Sequence, residues 1–235
     1  MALAKLLTFG LLTASIAYWV LCIIGALKFL SRRPGERAEG TPPATILKPV
    51  RGLDPDLADN CRAVCRQDYP VYQVIFGVAD PQDPAIPLLQ SVLAESPGER
   101  HRLVIGPEVY GPNRKVSLLQ QMLPFAAHEI VVISDSDVRV GPEYLRHIAP
   151  PFLDETVGLV TCLYRGDGAE GFAARLEAWA INDTFAPSVM AAYATEGVTF
   201  AFGSTLALRR KILEQIGGFT PFADLLADAY HLAQE

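Results

Sequence analysis

Asp135 and Asp137, in the stretch SDSDVRV at 134–140, directly follow the apolar run EIVVIS at 129–134. An Asp-x-Asp pair just past a buried strand sets hard oxygen donors at a sheet edge, where they can hold a divalent cation and bridge it to a diphosphate. The same residues have a plainer use. Ser134, Asp135 or Ser136 can cap a helix starting near Pro142, or shape a turn. Asp80, which closes VYQVIFGVA at 71–79 ahead of Pro81, is open to two readings as well. Its carboxylate can accept hydrogen bonds from a base or ribose at a strand end, or it can start a turn. Cys61 and Cys65 are four residues apart, but no His or Cys pair follows at zinc-site spacing, so they read as packed thiols. The scattered Cys22, Cys61, Cys65 and Cys162 suit a reducing compartment rather than a stapled scaffold.

The elements that must position these carboxylates alternate. Strands are predicted at 45–50, 71–79, 101–105 and 129–134, and helices at 54–67, 84–94 and 115–123. In the first helix Asp54 is expected as the cap and Pro55 as the first helical residue, with Leu57, Cys61, Val64 and Cys65 on one face. Beyond residue 150 the pattern loosens to a strand at 157–163, an amphipathic helix at 171–181 and a helix at 209–216 ending on Gly217-Gly218. Phe172, Leu176 and Trp179 recur at helical spacing and are expected in the core, the alternative being an amphipathic helix lying against the membrane near the acceptor entrance. This order predicts an α/β layer with a mostly parallel sheet, whose ligand site lies beyond the carboxyl ends of the strands.

Half of the 235 residues are hydrophobic and a fifth are charged, which excludes a disordered chain. Leu6 to Leu27 is a run of 22 residues without a charge, long enough as a helix to span a bilayer. Lys28, Arg32 and Arg33 follow it where a signal peptide would show small residues, so an uncleaved anchor is expected, with the rest of the chain cytoplasmic. Five basic and two acidic side chains give residues 1–40 a net +3; against −6 for the whole chain, that leaves −9 beyond residue 40. An acidic surface of this kind repels nucleic acid, which is excluded as a partner. The expected organisation is an anchor at 1–30, a Gly- and Pro-rich linker at 31–43 and a folded domain at 44–235.

Several stretches in order, LKPVRGLDP (47–55), DYPVYQVIFGVADPQDPAI (68–86), SDSDVRV (134–140), GLVTCLYRG (158–166) and FGSTLALRRKILEQIGGF (202–219), resemble the ceramide glucosyltransferase family. VTCLYRG and GSTLALRR are most similar to its bacterial branch, the hopanoid-biosynthesis glycosyltransferases. The resemblance implies a membrane-anchored inverting transferase with a GT-A, Rossmann-like nucleotide-sugar-binding domain, moving a sugar from a UDP-sugar to a lipid hydroxyl at the cytoplasmic face of a bacterial inner membrane. It further implies a divalent metal, Mn or Mg, on Asp135 and Asp137, and a uridine nucleotide on Asp80 and Asp135. Lys48 and Lys115 stand near the nucleotide in such a site, and Gly203, Ser204 and Thr205 beside the donor sugar and the membrane lipid acceptor.

The sequence also departs from the family. Its general base lies in an Ala-Asp/Glu-Asp-Tyr-like stretch, matched here by Ala227, Asp228, Ala229 and Tyr230, so the base position is Ala229. Asp228 is the nearest carboxylate, but a shift of one residue turns a side chain by about 100° on a helix. The family's later Q/R-x-x-R-W motif and C-terminal membrane segment do not follow before Glu235. The expectation is therefore a C-terminally incomplete domain, with a catalytically silent nucleotide-sugar-binding fragment as the alternative function.

Overall fold

The computed structural model describes residues 1–31, 40–96, 101–167, 171–225 and 228–233. They pack as two units, one formed by residues 163–199 with the N-terminal helix, the other by residues 40–162 with 200–233. The linker expected at 31–43 falls mostly on 32–39, outside the described residues.

In the larger unit the chain runs through β1 (Ala44–Val50), α2 (Leu57–Cys65), β2 (Tyr72–Val78), α3 (Ala85–Glu95), β3 (His101–Ile105), α4 (Arg114–Met122), β4 (Ile130–Ser134), α5 (Tyr144–Ile148) and β5 (Leu159–Thr161). After the excursion into the smaller unit it returns as β6 (Thr205–Arg209), α8 (Arg210–Gln215) and α9 (Asp228–Leu232). The six strands form one sheet in the order β3-β2-β1-β4-β6-β5. β3, β2, β1 and β4 run parallel to one another, whereas β6 is antiparallel to both β4 and β5, so the sheet is mixed.

β1 and β2 are buried along their whole length, as expected of central parallel strands covered on both faces. Alternation divides their side chains between two cores. Ile46, Phe76 and Val132 meet α2, α3 and α5 through Leu57, Cys61, Leu89 and Leu145. Leu47, Ile75, Val131 and Ile133 meet α4 and α8 through Val116, Leu119, Met122 and Leu213. A Cβ on Gly77 in β2 would collide with Met122 Sδ, so glycine there lets α4 approach the sheet.

Two details differ from the sequence expectation. The first helix begins at Leu57 rather than Asp54, because Asp56 takes a left-handed backbone (φ 61°) that ends any helix before it. The stretch TLALR is a strand, β6, although it runs unbroken into a helical segment. Its period of two places Leu206 and Leu208 in one core and Ala207 in the other.

The smaller unit contains α1 (Ala2–Ser31), long and apolar enough to cross a membrane, then α6 (Phe172–Ala180) and α7 (Ala186–Glu196), joined by a turn of wider π helix at Ile181–Phe185. α7 lies along the C-terminal half of α1. Cys22 Sγ donates to the Pro187 carbonyl at 3.2 Å, Lys28 Nζ donates to the Ala194 carbonyl at 3.1 Å, and Phe29 meets Tyr193 edge to face. Between them Gly25 abuts the Met190 backbone so closely that a Cβ there would collide with the carbonyl. Phe172, Leu176 and Trp179, expected in the core, are instead 78%, 46% and 62% exposed. Helical period fixes that they share a face, not what that face meets.

Candidate functional site

The carboxyl ends of β1, β2 and β4 open on one edge of the sheet, and the antiparallel start of β6 reaches the same edge, since Thr205 pairs with Ser134. β1 stands where the strand order reverses, the crevice in which open α/β sheets bind ligands. Past β4 the chain turns at once. Val138 N–H donates to the Asp135 carbonyl at 3.2 Å, and Asp135 N–H donates to the Ser204 carbonyl at 3.2 Å. The first bond closes the Asp-Ser-Asp turn, and the second ties it to the segment entering β6.

Lys48 holds this turn from beneath. It has no exposed surface, and its ammonium donates to the carbonyls of Asp135 at 2.6 Å and Val138 at 3.2 Å. Burial draws its pKa down to about 8, opposed by the Cys61 thiol and the Asp135 and Asp137 carboxylates. Its bonds are to the backbone of the turn.

Lys115 acts from the opposite side. α4 starts at Asn113, whose side chain accepts from Val116 N–H at 3.2 Å and donates to the Leu225 carbonyl at 2.9 Å, fixing the first turn against 223–225. From that turn Lys115 Nζ pairs with Asp135 Oδ1 at 2.5 Å and reaches the Gly203 carbonyl at 3.5 Å. One ammonium thus joins the acidic turn to the Gly203-Ser204 loop. Ser204 Oγ is buried and makes no hydrogen bond among the described residues, and Thr205 Oγ1 meets Tyr144 OH at 3.2 Å.

Asp80 is exposed past the end of β2 and accepts from Gln82 N–H at 2.8 Å. Its turn reading is therefore realised, at the same edge of the sheet. Asp83, which the sequence reading passes over, is buried and accepts from Gly52 N–H at 3.1 and 3.0 Å and from Ala85 N–H at 2.8 Å. It clamps the loop after β1 to the start of α3. Asn60 was also missed. Its amide donates to the Ser136 carbonyl at 3.2 Å while its oxygen accepts from Arg139 Nε at 3.3 Å, and Ser136 Oγ donates to Asp54 at 3.2 Å. The available signal was a polar residue on the apolar face of a helix, three after Leu57 and four before Val64.

Ala229, on α9, is buried, and its Cβ lies 4.0 Å from where a Cβ on Gly203 would stand. The position expected for the base thus borders the Gly203 loop and carries no proton acceptor. The side chain of Asp228 lies outside the described residues. Arg209 and Arg210, which flank the loop's strand, spend their guanidinium groups on the carbonyls of Phe152, Asp154, Val157 and Ala126.

Among the described residues no three His, Cys, Asp or Glu side chains gather as a metal site. The donors at the turn are the exposed Asp137 and the half-buried Asp135, one of whose oxygens pairs with Lys115. Hard oxygens in so small a number fit a cation that takes its remaining ligands from water and phosphate, as Mg²⁺ and Mn²⁺ do.

Sheet order, acidic turn and switch-point crevice define a GT-A type of domain. The chain belongs to Glycosyl transferase family 21, which it matches over residues 7–235. It is 24% identical over 194 residues to ceramide glucosyltransferase 1 of Caenorhabditis elegans, covering 82% of this chain and 41% of that protein. It is 29% identical over 120 residues to a beta-monoglucosyldiacylglycerol synthase of Trichormus variabilis, covering 51% and 25%. The chain thus spans well under half the length of these curated relatives. Its fold is similar to that of a mannosyltransferase from Pyrobaculum calidifontis in complex with GDP-Man and Mn²⁺, with a TM-score of 0.67 and 22% identity over 94% of this chain and 60% of that one.

Proposed function

We propose that the chain is the donor-binding part of a membrane-anchored inverting glycosyltransferase that moves a sugar from a UDP-sugar to a lipid hydroxyl, of ceramide or hopanoid type. The observation that carries this reading is the Lys115 bridge from the Asp135 carboxylate to the Gly203 carbonyl, at the crevice beyond β1 and β4. A divalent cation on Asp135 and Asp137 would supply charge neutralisation at the leaving diphosphate. Asp80 accepts a hydrogen bond from the uracil. Lys48 keeps the turn in shape and Asn60 braces it. Lys115, freed from Asp135 once a cation competes for that carboxylate, turns its ammonium to phosphate oxygens. Ser204 Oγ offers its unused hydroxyl to the donor sugar, with Gly203 and Thr205 shaping the loop around it. The organisation proposed is residues 1–30 as anchor, 31–43 as linker and 44–235 as the transferase domain on the cytoplasmic side, of which 163–199 pack with the anchor helix.

Ala229 beside Gly203 favours a second reading, in which the chain binds nucleotide sugar without turnover. Loss of a general base costs typically about 10²–10⁴-fold in rate. Calorimetric titration of the detergent-solubilised chain with UDP-sugars, with and without Mn²⁺, tests the donor site, with Asp135→Ala as control. Metal-dependent binding lost in the control supports the proposal, and no binding by the folded wild type refutes it. Transfer of radiolabelled sugar to ceramide or hopanoid acceptors, measured on the same preparation, separates the two readings.

A further inference from the structure

We propose that Tyr144 is a positioning residue for the donor sugar, its hydroxyl fixing the Gly203-Ser204 loop against the acidic turn through Thr205 Oγ1. The proposal rests on reading that loop as the sugar side of the donor site. Tyr144 opens α5, and its ring packs against the core on the sheet face that carries Ile46 and Val132. Thr205 shares that face, since it stands two residues before Ala207, which belongs to the same core. The two hydroxyls lie 3.2 Å apart. Burial pushes the Tyr144 phenol far above the ordinary tyrosine range, so it stays a neutral O–H, able to donate or to accept.

Both ends of this contact are held by other parts of the chain. Behind Tyr144, Gln67, just past α2, donates to the Gly141 carbonyl at 3.0 Å and accepts from Leu145 N–H at 3.2 Å, and Asp68 N–H donates to the Pro142 carbonyl at 2.8 Å. On the loop side each residue from 202 to 205 has its own tether. Phe202 N–H donates to Thr161 Oγ1 at 2.8 Å, the Gly203 carbonyl takes Lys115, the Ser204 carbonyl takes Asp135 N–H, and Thr205 has Tyr144. The Lys115 tether is lost once that ammonium turns to phosphate, as the donor-bound state proposed above requires. Tyr144 then holds the residue next to Ser204 by a bond for which no part of the donor competes. The diphosphate side is independent of it, because Lys48 and Asn60 brace the acidic turn from β1 and α2.

The test compares a ligand that carries the sugar with one that lacks it. The full chain in detergent with Mn²⁺ is titrated calorimetrically with UDP, UDP-glucose and UDP-N-acetylglucosamine, as wild type, Tyr144→Phe, Thr205→Val and the double variant. The expected result is a loss of about three- to tenfold in UDP-sugar affinity for each single variant, a loss confined to the sugar-bearing ligand. The double variant should be no weaker than Thr205→Val, because both substitutions remove the same bond. Should Tyr144→Phe fail to fold, Thr205→Val carries the same comparison. Unchanged UDP-sugar affinity, an equal loss for UDP and UDP-sugar as a merely loosened fold would give, or additive losses in the double variant overturns the proposal and leaves the donor site standing. A folded wild type that binds neither UDP nor UDP-sugar sinks the donor-site reading and the proposal with it.

Discussion

The ammonium of Lys48 lies 2.6 Å from the backbone carbonyl of Asp135, so the residue that shapes the acidic turn is a fully buried cation in the central strand of the sheet. Removing that charge with Lys48→Met leaves two carbonyls unmatched, at about 1–3 kcal/mol each, but also relieves the cost of burying an ammonium. The expected outcome is a small change in melting temperature and a drop of about tenfold or more, 1.4 kcal/mol, in metal-dependent UDP-sugar affinity. Circular dichroism and calorimetry on the same sample check it. A collapse in stability with affinity intact in the surviving fraction would contradict a role confined to the turn.

Lys115 competes with any cation for Asp135. Lys115→Met should therefore bind Mn²⁺ alone more tightly, while UDP in the presence of Mn²⁺ binds more weakly for want of a phosphate partner. Paramagnetic titration of Mn²⁺ with and without UDP measures the split. Movement of both affinities in the same direction would count against the bridge having this role.

The α1 and α7 helices meet at Gly25, where a side chain has no room, whereas Gly10 on the same helix has open space around it. Gly25→Val should destabilise the helical unit by about 1–3 kcal/mol, as overpacking does, and Gly10→Val should not. Thermal unfolding in detergent compares the two. Equal melting temperatures would mean that the helices do not pack as described.

Burial pushes the Cys61 and Cys65 thiols up to about 11 and about 12. A group whose pKa stands three units above the solution pH is about one part in a thousand thiolate, and thiolate is the nucleophile. Neither residue should react with iodoacetamide at pH 8 in the native chain, and both should react in guanidinium. Peptide mass mapping reads the labelled positions. Native labelling of either would place it outside the core.

Much of the frame was legible because it rests on local periodicity. The strands around Ile46, Ile75 and Ile133 are continuous apolar runs that belong in a doubly covered sheet, and the Asp135-Asp137 spacing at the end of one of them pointed to the candidate site. β6 was harder to read, since TLALR passes into the helix at Arg210 without a breaker, and its antiparallel insertion between β4 and β5 is a pairing across long sequence separation. Asn60 showed only as a polar residue on an apolar helix face, and Asp83 and the carbonyl targets of Lys48 were not legible at all, because hydrogen bonds to backbone leave no pattern in side-chain types.

The sequence by itself determined the apolar 22-residue run, the alternating elements and the acidic pair, since each depends on residues near one another in the chain. Only the tertiary structure decided that Lys48 faces the turn from below, that Lys115 joins Asp135 to Gly203, and that the stripe on α6 stays uncovered. Those facts depend on which element packs on which, and the burial energy that selects a packing is a sum over many distant side chains rather than a property of any segment.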